Sequence, residues 1–124
     1  AVYGPFESYT AKLEDCTIRG KQQDCTLAVA TNNQGPIEIE LIAVLDGHPP
    51  HKDHLLLHGE GLHHVRFDVE EIDEKIEKMV EEGFEVIFYK QYSPEISFAY
   101  LESPASMGGH VVELLRMPAD TPTP

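Results

Sequence analysis

The sequence predicts an α+β fold in which one strand-rich unit is used twice. Three observations carry this: an amphipathic helix pattern, a series of short β-branched or aromatic runs around it, and two segments that share one layout. At 124 residues, with 41% hydrophobic and 25% charged content, the chain is long enough for one compact domain with its own core.

The helix pattern is "VEEIDEKIEKMVEEG", Val69 to Gly83, which sets Ile72, Ile76, Met79 and Val80 on one face and acids and lysines on the rest. Acids crowd its first turn, where the helix dipole favours them, and Gly83 stands where a left-handed cap belongs. Strands are predicted over residues 8–13, 16–19, 25–31, 37–44, 62–69, 84–90, 96–102 and 110–116, separated by Gly, Pro or Asn signals. Between the halves, 50–58 reads as a short helix or turn, and the tail "MPADTPTP" is too polar and proline-rich to pack. The repeated layout lies in "LAVATNNQGPIEIELI" (27–42) and "FAYLESPASMGGHVVELL" (98–115): a strand, a glycine-containing turn, then a strand ending apolar-Glu-Leu-apolar. The second unit reads strand, helix, then three strands, whereas the first reads as strands only. By symmetry a leading strand and helix should precede Ala1, so either the chain is a fragment or processed form or the first unit is degenerate.

Charge excludes several functions. A formal net charge of -13 and a pI near 4.7 repel phosphate backbones and anionic headgroups, so neither nucleic acid nor membrane is an expected partner. A small-molecule ligand is. No apolar run approaches a membrane span and no signal-peptide pattern opens the chain, which predicts a soluble, cytoplasmic protein. Two cysteines are too few for a disulfide scaffold, but a hairpin turning between Gly20 and Lys21 would set Cys16 opposite Cys25 and leave a cross-strand disulfide open.

In "GEGLHHVRFDV" (59–69), alternation puts His64, Arg66 and Asp68 on one face, and His63, Val65, Phe67 and Val69 on the other, where the helix should pack. His64 therefore faces either solvent or a polar cavity. Glu113 projects from an apolar stripe between Val111 and Leu115, where an unpaired carboxylate is costly and a metal ion or cationic partner would offset the cost. Glu40 holds the matching place in the first repeat. Together His64, Glu40 and Glu113 form a mixed nitrogen and oxygen set suited to zinc, iron, nickel, cobalt or manganese. The remaining histidines, His48, His51, His54 and His58 in "HPPHKDHLLLH", read as a solvated connecting segment, although His54 and His58 would share a helix face. No Gly-x-Ser-x-Gly nucleophile pattern occurs.

The stretches 59–86 and 98–116, with "YGPF" (3–6), "RGK" (19–21) and "IELI" (39–42), resemble the vicinal oxygen chelate superfamily, which includes glyoxalase I (lactoylglutathione lyase) and methylmalonyl-CoA epimerase. The resemblance, over about residues 3–116, implies paired βαβββ modules (the glyoxalase/bleomycin resistance-like fold), with the first module incomplete: 1–48, a connecting segment 49–61, a second module 62–117, and a flexible tail 118–124. It implies a divalent metal held by His64, Glu113 and Glu40, the fourth family ligand falling on the expected but absent opening strand. It also implies proton abstraction beside a metal-held oxygen, with Glu113 or Glu40 as base and Arg66 as a substrate-binding residue, bridged more simply to Asp68 or an outer acid. The function expected is a metal-dependent lyase or isomerase acting on a small substrate or thioester. The alternative is a non-catalytic protein of the same fold that sequesters a small molecule. A ring-cleaving dioxygenase fits less well, since only one histidine can be placed. The uncovered half of the first module leads us to expect a homodimer.

Overall fold

A computed structural model describes residues 5–32 and 37–118. The chain runs β1 (Glu7–Ile18), β2 (Lys21–Asn32), β3 (Ile39–Asp46), α1 (Pro50–His58), β4 (His64–Asp68), α2 (Ile72–Glu81), β5 (Glu85–Gln91), β6 (Ser97–Glu102), a 3-10 turn at Ala105–Met107, and β7 (Val111–Arg116). The strands form a single sheet in the order β3-β2-β1-β5-β6-β7-β4, antiparallel except for the β4–β7 pair. The sheet is curled far enough that its two ends meet: Arg66 on β4 lies 3.8 Å from Glu38 beside β3.

The fold is α+β, as the sequence predicts, and the differences have local causes. The two strands expected over 8–19 are one, interrupted by a bulge between Leu13 and Cys16, where Asp15 takes φ +53° and its N–H donates to the Asp24 carboxylate at 3.0 Å. The Lys90 ammonium donates to the carbonyl of Glu14 and holds the same kink. The hairpin turns through Arg19 and Gly20, pairing Ile18 with Lys21 and Cys16 with Gln23, two positions away from the register that would face the cysteines. Both thiols are buried and free.

A second bulge in β5, between Val86 and Phe88, lets Ile87 and Phe88 both point to the inner face. There they join Leu13, Ile18, Leu27, Phe98 and Tyr100 in the core that lines the curl. The outer face of β5–β7 presents Ala99, Leu101, Val112 and Leu114 to α2, which covers them with Ile72, Ile76 and Met79. Val80, expected on that face, is 47% exposed, and Val69 packs instead. The helix ends as its glycine predicts: the N–H of Gly83 bonds to Val80 O and that of Phe84 to Met79 O, with Gly83 at φ +100°. Because α2 lies over β5–β7, edge strand β4 extends beyond it. Val65 and Phe67, expected under the helix, are instead exposed.

The connecting segment departs most from expectation. Gly47, at φ +87°, brings the chain against β2 so closely that a Cβ there would sit 2.6 Å from Asp24 O, and buried Pro49 and Pro50 then start α1. His51, expected in solvent, is thereby buried against β6. The tail beyond Pro118 and the turn expected at 33–36 lie outside the described residues.

Candidate metal and ligand site

Three strands aim polar groups into the curl. On β7, Glu113 alternates with Val111 and Leu115 and therefore points inward, and the β4–β7 register sets Arg66 opposite it and His64 opposite Val111. His64 Nε2 lies 3.1 Å from Glu113 Oε1. On β3, Glu40 points into the same cavity of about 190 Å³, whose wall also includes Arg66, Tyr100, Phe88 and Phe98. Burial, and next the charge of Glu113, raises the Glu40 carboxyl above the usual carboxylate range, against the pull of His64. Glu38 is raised by burial too, with Arg66 opposing. Arg66 is held by Asp68 at 3.2 Å and Glu38 at 3.8 Å, the bridging that its position on the polar face of β4 suggests.

A second group gathers beside the first. Among the described residues, the set whose nitrogen donors all lie within 4.8 Å of one another is His51, His63 and His64. His51 reaches Tyr100 Oη through Nε2 at 3.1 Å, while its Nδ1 is buried without a partner. Complete burial, and next the charge of Glu113 opposite it, raises the Tyr100 hydroxyl well above its ordinary pKa. His63 Nδ1 lies 2.9 Å from His64 Nδ1. Burial lowers His51 to about 3 and His63 to about 4, with neighbouring histidines adding to both, so both rings are neutral at neutral pH.

Sequence reading picked out His64, Glu113, Glu40 and Arg66, all of which border the curl. It missed His51, Tyr100 and His63. His63 precedes β4, so strand alternation does not govern it, and its ring turns towards His51 and His54. Tyr100 carried a signal, since it occupies an inward position of β6 directly opposite Glu113.

Comparison with known proteins agrees with this architecture. A hypothetical protein of Bacillus halodurans C-125 superposes with a TM-score of 0.60 at 25% identity, over 78% of this chain and 71% of that one. A glyoxalase family protein of Bacillus cereus gives a TM-score of 0.43 at 23% identity, over 78% of this chain and 65% of that one. No curated protein matches. A family profile described as "Glyoxalase/Bleomycin resistance protein/Dioxygenase superfamily" matches residues 7–100, most of the sheet and both helices, and the chain belongs to that superfamily.

Proposed function

We propose that the chain is a metal-dependent lyase or isomerase of the glyoxalase and epimerase type, acting on a small substrate or thioester by removing a proton beside a carbonyl-type oxygen. The observation that carries this is the His64–Glu113 pair at 3.1 Å, whose carboxylate lines a cavity that Glu40 also lines from the other half of the sheet. An imidazole and two carboxylates at this partly apolar site suit a divalent ion of the zinc, iron, nickel, cobalt or manganese kind, since a cation offsets the burial and the repulsion that raise Glu40. Bound there, such an ion supplies positive charge where negative charge develops on the substrate.

The side chains do the rest. Glu40 or Glu113 accepts the proton, and the raised basicity of Glu40 brings it nearer to the working pH of a general base. Arg66, at the cavity wall, exchanges Glu38 for a carboxylate or phosphate of the substrate. Phe88, Phe98 and Leu115 exclude water from the reacting carbon. The protein works as a cytoplasmic homodimer of two-module chains. The largely aliphatic and aromatic wall favours a second reading, in which the cavity sequesters a small apolar molecule without chemistry.

Metal analysis with a solvent-exchange assay decides between them. Deuterium uptake next to the carbonyl of a hemithioacetal and of a branched acyl thioester is followed by NMR. For the enzyme, uptake needs added divalent metal and falls about 10²–10⁴-fold in Glu113→Gln or Glu40→Gln. Metal-free protein that binds ligand and exchanges nothing leaves the carrier.

A further inference from the structure

We propose that Nδ1 of His51, His63 and His64 together form a separate binding site for a borderline divalent ion such as Zn²⁺. This site does not rest on the catalytic reading. That reading uses Nε2 of His64 towards Glu113, whereas this one uses the opposite nitrogen.

The contacts already made show which nitrogens are left over. Nε2 of His51 is engaged with Tyr100 Oη at 3.1 Å, so the nitrogen left to a further ligand is Nδ1. That atom is buried and has no partner, an arrangement that is costly unless something arrives to fill it. In His64, Nε2 is engaged with Glu113 Oε1 at 3.1 Å, and the nitrogen left on the other side of the ring is Nδ1. Glu113 thus anchors the His64 ring directly, as outer carboxylates anchor metal-binding histidines, and Tyr100 anchors that of His51.

His63 completes the set. Its Nδ1 lies 2.9 Å from His64 Nδ1, close to the roughly 3.3 Å that separates two nitrogens on a tetrahedral ion with bonds of about 2.0–2.1 Å. Without an ion, His63 spends its Nδ1 proton on His64 and leaves His51 unmatched. With one, all three lone pairs are used, and water takes the fourth position. Gly59 and Gly61, at φ +76° and +155°, precede His63 and give its backbone the freedom to close onto an ion. Filling this site also fixes the Nε2 proton on His64, which donates to Glu113 and leaves no lone pair on that side of the ring.

The test uses the purified full chain, stripped of metal and titrated with Co²⁺ at pH 7.5. Visible absorption reports coordination, and circular dichroism confirms that each variant is folded. One equivalent is expected, weakened at least about tenfold in His63→Ala and in His51→Phe and little changed in Glu40→Gln. His63 is only half-buried, so His63→Ala still tests the site if His51→Phe fails to fold. Long-range ¹H–¹⁵N spectra of the Zn²⁺ form should show the ion on Nδ1 of His64. Absence of Co²⁺ binding overturns the site. So does binding that survives His63→Ala but is lost in Glu40→Gln, or an ion on Nε2 of His64, and these last two leave the catalytic reading standing.

Discussion

His51 and His63 show how one buried ring type sets both chemistry and acid sensitivity. His51 faces Tyr100 on β6 and the rings of His63 and His64, and His54 on α1 adds to the charge that neither ring can tolerate nearby. Folding lowers these pKa values from 6.5 to about 3 and about 4, so the unfolded chain takes up protons first as pH falls. Stability is then full above pH 6.5 and drains away as pH drops through 4 towards 3. Glu40 works the other way, because its raised carboxyl is easier to protonate when folded. In metal-free protein, urea midpoints are expected to fall between pH 6.5 and 4, and His63→Gln should flatten the fall. An unchanged slope in that variant would remove the imidazoles as its origin. None of this was legible in the sequence, since "HPPHKDHLLLH" reads as polar and only the tight passage at Gly47 turns His51 inward. Glu113 was legible, because strand alternation alone puts it among Val111 and Leu115.

Among the elements, α2 followed its periodicity in all but its exact face. The helix spans 72–81 instead of 69–83, and its buried side is turned so that Ile72 is 4% exposed while Val80 lies at the margin. Ile72→Ala should cost about 2–4 kcal/mol in urea unfolding, and Val80→Ala no more than about 0.5 kcal/mol. Equal losses would mean that the helix sits as its hydrophobic pattern alone suggested. Strand alternation was equally readable in β4, β6 and β7. The bulges at Leu13/Cys16 and Val86/Phe88 were not, because each is fixed by neighbours on another strand, Asp24 and Lys90 at the first. The offset of Cys16 from Cys25 in the β1–β2 ladder comes instead from the turn through Arg19 and Gly20, which pairs Cys16 with Gln23.

For the whole molecule, the repeat gave the architecture and left open what covers the first half. Among the described residues, no helix lies over the outer face of β1–β3, where Leu41 and Leu45 are 53% and 60% exposed. Among the described residues, no helix is long and apolar enough to cross a membrane. The homodimer we propose would bury this face, and Leu41→Glu should then shift sedimentation from dimer to monomer. A wild-type chain that sediments as a monomer would end that proposal. The two halves are hydrogen-bonded along only a short ladder, Thr17 to Tyr89 and Ile18 to Phe88, while across the curl the free margins are drawn together by Arg66 and Glu38. The sheet is therefore built like a purse, with a narrow spine on one side and an ionic clasp on the other. A pair at 3.8 Å in a partly wet setting is worth at most about 1 kcal/mol, so an arriving anion that bids for the guanidinium can unfasten it with ordinary thermal motion.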